Sequence, residues 1–141
     1  MIIYTLGYLG WKVDEVQQEV RRLGALLVDV RLRPLSRNPA FTAKRLAERF
    51  GARYLWIKEW GNLNYRAPDA PIRLADWPKG LQRLTARLKE DGTEAVVLMC
   101  ACREVAVCHR KTVAERLAEA TGGQVQHLDP PSGRPREALL F

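Results

Sequence analysis

Apolar positions along this chain alternate between two spacings, and their order predicts the fold. Ile2 to Leu6 is a short β-branched and aromatic run stopped by Gly7, which predicts a first strand. Val13, Val16, Val20 and Leu23 recur at helical spacing and Gly24 ends the run, predicting a first helix. Ala25 to Val30 is almost continuously apolar, the mark of a strand covered on both faces. Arg31 to Pro39 holds two prolines and is expected to be loop. Thr42 can cap a second helix with Leu46 and Phe50 on its buried face, and Arg53 to Ile57 reads as a third strand.

Residues 58 to 75 carry Gly61, Asn62, Asn64, Pro68 and Pro71 and have no clear period. A connection this long in a compact domain is usually functional or mobile. Asp76 can cap a third helix on which Leu81, Leu84 and Leu88 share a face, ended by Asp91-Gly92. Ala95 to Cys100 is a second buried strand pattern. A fourth helix starts near Cys108 or His109, carries Val113, Leu117 and Ala120, and is closed by Gly122-Gly123. Gln124 to Leu128 is a last strand. Strand and helix therefore alternate, which predicts an α/β fold: a single three-layer domain, residues 1–129, with a mostly parallel sheet of about five strands and helices on both faces. Residues 130–141 are expected to form a Pro-rich extended tail. Leu139-Leu140-Phe141 has two roles open to it, folding back onto the domain or contacting a second subunit in a homodimer.

Composition narrows the partners. With 47% apolar and 28% charged residues among 141, the balance is globular. No apolar run approaches the ~20 residues of a membrane span, and the N-terminus lacks the basic and long apolar regions of a secretory signal, so no membrane partner is expected. The formal charge of +7, carried mostly by Arg, favours an anionic small molecule or nucleic acid. The three cysteines fall between positions 100 and 108, a poor disulfide framework that suits a reducing compartment, so the expected location is cytoplasmic.

Ligands of open α/β sheets bind beyond the carboxyl ends of the strands. Three such ends carry unusual residues: Thr5-Leu6-Gly7-Tyr8; Asp29-Val30-Arg31, followed by Arg33, Ser36 and Arg37; and Cys100, followed by a loop to Cys108-His109-Arg110. Guanidinium forks match phosphate and carboxylate geometry, and clustered ones repel unless an anion or acid sits among them. The acid could be internal, with Asp29 pairing to Arg31 or Arg110. The expected ligand-binding set is Arg31, Arg33, Arg37, Arg110, Tyr8 and Ser36. A thiol at a helix start beside cationic side chains is activated as a nucleophile, and His109 can act as base, so Cys108, His109 and Cys100 are the expected catalytic set. Cys100-x-Cys102-x5-Cys108-His109 offers four zinc-type ligands at unfavourable spacing, and neither a metal nor another cofactor is expected. His127 reads as structural, and Trp60 and Tyr65 in the long loop could stack on a base. Neither Gly-rich phosphate fingerprint is present.

These motifs in this order make the chain resemble the family called domain of unknown function 488. The resemblance rests on Thr5-Leu6-Gly7-Tyr8, Asp29-Val30-Arg31 with Arg33-Pro34, Ser36 and Phe41, the Gly61-Asn62-Leu63 region, Cys100-Ala101 and Cys108-His109-Arg110. It covers most of residues 2 to 128. It implies an α/β domain with these motifs at a common pocket and no settled activity. Family members typically show Gly-His where this chain has Gly7-Tyr8, and an acid after Cys-Ala where it has Cys102, with Glu104 as a nearby substitute.

Three functions compete on these grounds. The first is a basic, cysteine-containing pocket that binds a phosphate-bearing ligand, nucleotide or nucleic acid, with or without catalysis. The second is a non-catalytic nucleic-acid-binding module. The third is a rhodanese- or phosphatase-like thiol enzyme, against which stands the absence of the short Gly-rich or Cys-x5-Arg loop of those groups.

Overall fold

The computed structural model describes residues 1–102 and 105–131. Its elements follow the hydrophobic pattern closely: β1 (Ile2–Gly7), α1 (Val13–Leu23), β2 (Leu26–Asp29), α2 (Ala43–Phe50), β3 (Tyr54–Trp56), α3 (Trp77–Asp91), β4 (Ala95–Cys100), α4 (His109–Thr121) and β5 (Gln124–Leu128). All strand pairs are parallel and the order is β3-β2-β4-β1-β5.

Side chains that alternate along the buried strands build two cores. Ile3, Leu26, Val28, Val96 and Leu98 meet Leu84 and Leu88 of α3 and Val113, Ala114 and Leu117 of α4. Tyr4, Leu6, Leu27, Val97 and Met99 meet Val16 and Val20 of α1 and Leu46 and Phe50 of α2. The fold is therefore one α/β domain of three layers, with α1 and α2 on one face and α3 and α4 on the other. On α4 it is Ala114, not the expected Ala120, that completes the buried stripe.

Most boundaries follow local chemistry. The Asp76 carboxylate accepts the Lys79 N–H at 3.2 Å and starts α3. Thr42 precedes α2 as expected, but its hydroxyl donates back to the Pro39 carbonyl at 2.9 Å instead of capping. Pro39–Phe41 forms a short 3-10 turn at the end of the predicted loop, and Gly51–Arg53 forms another that takes Arg53 from the expected third strand, which runs Tyr54–Trp56 instead of Arg53–Ile57. The long 58–75 connection is more ordered than its composition suggests. It contains a 3-10 turn at Lys58–Trp60 and an antiparallel bridge from Asn62 to Leu74, and Trp60 is fully buried, stacked on Trp77 with ring centroids 4.9 Å apart. The extended tail falls largely outside the described residues, as do Leu139, Leu140 and Phe141. Among the described residues no helix is long and apolar enough to cross a membrane.

The topology places the site. From β2 the chain departs toward α2 on one face; from the adjacent β4 it departs toward α4 on the other. Loops leaving neighbouring strands toward opposite faces open a crevice between the strands' carboxyl ends. Here those ends are Asp29 and Cys100.

Candidate functional site at the β2 and β4 ends

Asp29 is the last residue of β2 and is fully buried. Three donors converge on its carboxylate. Arg31 gives Nε to Oδ1 at 2.8 Å and Nη2 to Oδ2 at 2.6 Å, and the Tyr54 hydroxyl donates to Oδ2 at 2.6 Å. The Arg31 backbone N–H adds a fourth bond at 3.2 Å. Burial alone would lower the Arg31 pKa, but the hydrogen bonds and charge of Asp29 outweigh it and raise the pKa. The Tyr54 hydroxyl is pushed far above its ordinary range by burial and by the Asp29 charge. Trp56 Nε1 donates to the Arg31 carbonyl at 2.8 Å, and the guanidinium lies over the Tyr8 ring, 5.3 Å from its centroid. Arg31 is thus held by three residues, Asp29, Trp56 and Tyr8. One nitrogen is left over: Nη1 is buried without a hydrogen-bond partner among the described residues.

Two glycines near the strand ends permit close approach. Gly7 pairs with Cys100, and a Cβ on Gly7 would fall 1.6 Å from the Cys102 carbonyl oxygen and 2.7 Å from Arg110 Nη1. A Cβ on Gly61 would fall 2.4 Å from Leu32 Cα, so a bare backbone is what lets the segment after β3 lie on the loop after β2.

The cysteine loop brings three sulfurs together. Sγ atoms of Cys100, Cys102 and Cys108 all lie within 4.8 Å of one another. Cys100 and Cys108 are buried and meet sulfur to sulfur, their Cα atoms 7.9 Å apart. Cys102 is exposed as a residue, but its thiol is turned toward the other two. Desolvation raises its pKa against the opposing charge of Arg110. Cys108 is the residue just before α4.

His109 opens α4, and its Nε2 lies 2.6 Å from the Val30 carbonyl. A carbonyl only accepts, so Nε2 carries the proton and Nδ1 is the ring's acceptor nitrogen. Burial lowers the His109 pKa, aided by the charge of Arg110 and opposed by the Val30 bond, and the net lowering favours the neutral ring. Arg110 turns the other way. It is buried and directs Nη1 to Cys100 Sγ at 3.5 Å and to the Cys102 carbonyl, and Nε to Thr5 Oγ1 at 3.4 Å. Thr5 Oγ1 in turn lies 2.6 Å from His127 Nδ1, a structural contact for that histidine.

Between these elements lies a cavity of about 650 Å³. Arg31, Arg33, Cys100, Cys102 and His109 reach it, and residues 62 to 72 of the long connection wall it. Of the residues singled out in the sequence, Arg31, Arg33, Cys100 and His109 therefore share one cavity. The others do not line it: Tyr8 is buried against Phe41 at 4.2 Å, Ser36 Oγ accepts the Asn38 N–H at 3.1 Å, Arg37 is exposed, and Arg110 and Cys108 lie behind the wall. Sequence reasoning missed Tyr54 as the second clamp on Asp29. It also missed the apolar rim formed by Leu35, Ile72 and Val107, which are exposed and line the cavity beside Tyr65, the ring offered from the sequence as a stacking surface. Alternation along β3, which points Tyr54 to the same face as Asp29, was the available signal for the first.

The family model of the domain of unknown function DUF488 matches residues 12–117. The chain belongs to this family. The matched DUF488 segment contains the Asp29-Arg31 clamp, the walling loop and all three cysteines, and leaves β1 with Gly7 and β5 outside. No curated protein and no solved structure matches the chain.

Proposed function

We propose that this DUF488 protein binds a small phosphate-bearing ligand of the nucleotide type in the cavity between the β2 and β4 ends. The observation that carries this reading is Arg31: a guanidinium locked by Asp29 and Tyr8, at the cavity, with Nη1 still lacking a partner. A buried donor left unpaired costs on the order of 1–3 kcal/mol, and an anion that moves against it recovers that cost. Arg33 adds a second cation on the same wall. The start of α4 adds the positive end of a helix, behind His109.

The rim argues for more than inorganic phosphate. Leu35, Tyr65, Ile72 and Val107 present large apolar surfaces to water around the mouth. A base fits this role: its flat face covers the rim and stacks on Tyr65 while the phosphate reaches the arginines. Any chemistry on such a ligand falls to Cys100, which reaches the cavity, with Cys108 behind it and His109 Nδ1 as the base.

Calorimetric titration with nucleoside monophosphates tests the reading, with inorganic phosphate as competitor. Saturable binding, weakened by added phosphate and by Arg33→Ala, is the expected result. Absence of binding at millimolar nucleotide in low salt overturns it. Equally tight binding of polynucleotide alone would favour the nucleic-acid module instead.

A further inference from the structure

We propose that Cys100, Cys102 and Cys108 form a three-thiolate site for a zinc-class divalent cation at the end of β4. Three sulfurs stand within 4.8 Å of one another at the end of β4, close enough for one ion bound at about 2.3 Å from each to draw them together. The alternative use of the pair, a Cys100–Cys108 disulfide, conflicts with the backbone. Their Cα atoms are 7.9 Å apart, whereas disulfides hold Cα atoms about 4.4–6.8 Å apart. A disulfide also leaves the third sulfur without a role, whereas a metal uses all three.

The surroundings of Cys100 and Cys108 favour the anionic form that a metal needs. Arg110 Nη1 donates toward Cys100 Sγ at 3.5 Å, and Cys108 precedes the first turn of α4, whose free N–H groups favour negative charge. Gly7 is bare where the Cys102 carbonyl passes, so β1 lets the loop fold inward and carry its sulfur to the other two. His109 stays outside: its Nε2 is committed to Val30, and no fourth His, Cys, Asp or Glu ligand among the described residues joins the group. Among the described residues the set is therefore three protein ligands, which leaves the fourth position of a tetrahedral ion to a further ligand. Cys100 and Cys102 both line the cavity, so that position faces it. Three ligands and an open site are the pattern of zinc that works on a bound molecule, not of zinc that only staples a fold. On binding, each thiol releases its proton to solvent as the sulfur–metal bond forms, with no change of oxidation state. The inference stands apart from the identity of the ligand in the cavity.

Cobalt(II) is the probe. Reduced protein, freed of metal and handled without oxygen, is titrated with cobalt and followed by thiolate-to-cobalt charge-transfer absorption, then back-titrated with zinc. The expected result is one cobalt per chain, displaced by zinc. Cys102→Ser, at an exposed position that leaves both cores intact, should cost more affinity than the ~10–100-fold typical of losing an outer partner. Cys108→Ser should do the same, with circular dichroism checking that each variant folds. Absence of the charge-transfer band in the reduced protein overturns the proposal. An unchanged band in folded Cys102→Ser also overturns it.

Discussion

Arg31 turns back on its own strand and closes a two-pronged ion pair on Asp29, two residues earlier, with both side chains buried. A pair this deep contributes little net stability as a pair, but breaking it strands a charge. Asp29→Asn should therefore destabilise the domain by about 3–5 kcal/mol in urea unfolding. The double variant Asp29→Asn, Arg31→Met should recover part of that loss, because no charge is then left buried. A double variant as unstable as the single one would show that the pair acts through some other contact.

Tyr54 holds the same carboxylate from β3, so its hydroxyl reports on the clamp separately. Tyr54→Phe removes a hydrogen bond to a charged acceptor, worth about 1.5–3 kcal/mol. The raised pKa of the phenol gives a second readout. In an alkaline ultraviolet titration Tyr54 should stay protonated past the ordinary tyrosine value of ~10, until the domain unfolds. Ionisation of Tyr54 in the folded protein at that value would contradict a tight Asp29 contact.

Gly7→Ala tests the other wall. The added methyl would collide with the Cys102 carbonyl and the Arg110 guanidinium, the first of these backbone and therefore unable to swing aside. A cost of at least ~1–3 kcal/mol is expected, as for overpacking in general. Free-thiol reactivity should rise as well, because the cysteine loop is the element that must move. Loss of stability with unchanged thiol reactivity would place the strain in β1 instead.

Much of this architecture could be read from spacing alone. The helical period from Val13 to Leu23 and the apolar runs at Ala25–Val30 and Ala95–Cys100 place α1, β2 and β4 to within a residue or two, because parallel strands buried on both faces leave an unmistakable composition. The site was legible as a set of strand ends but not as a set of roles. Arg31, Arg33 and Arg37 look alike in sequence. What separates them is direction: Arg31 points inward to Asp29, Arg33 to the cavity, and Arg37 to solvent, and the irregular path of the Pro34–Pro39 loop sets those directions without any period to read. Cys102 was undervalued for a related reason. Cys102 lies two residues past Cys100, beyond the end of β4, so the direction of its thiol is set by the irregular turn after the strand and not by any period.

Glu59 supplies a pH-dependent contribution away from the cysteines. Its carboxylate accepts from Arg83 Nη1 at 2.6 Å, and Arg83 Nη2 reaches the Trp56 carbonyl at 3.1 Å, tying α3 to the segment after β3. Burial would raise the Glu59 pKa, but its own backbone hydrogen bond and the Arg83 guanidinium lower it below the ordinary value. A carboxylate with a lowered folded pKa gives stability that is fully present above its unfolded value of about 4.3 and is lost as pH falls through the folded value. Glu59→Gln should thus be less stable than the parent at neutral pH, by about 1 kcal/mol given the half-exposed partner. The two thermal unfolding curves should converge in acid below that window. A constant difference across the whole range would mean that packing, not charge, is what the substitution removes.

Arg33 and Arg37 give the sharpest test of the cavity, because they share a loop, a charge and exposure to solvent but not a position. Arg33 lines the cavity and Arg37 does not. If bulk positive charge drew anions to this face, the two alanine variants would weaken nucleotide binding equally. A built pocket predicts otherwise. Arg33→Ala should lower affinity by roughly tenfold, the lower end of a charged hydrogen bond's worth, and should flatten the dependence of log affinity on log salt by about one phosphate contact. Arg37→Ala should leave affinity within about twofold of the parent, since a charge outside the cavity acts only through a screened field. Titrations of both variants at two salt concentrations decide between a cavity and a charged surface.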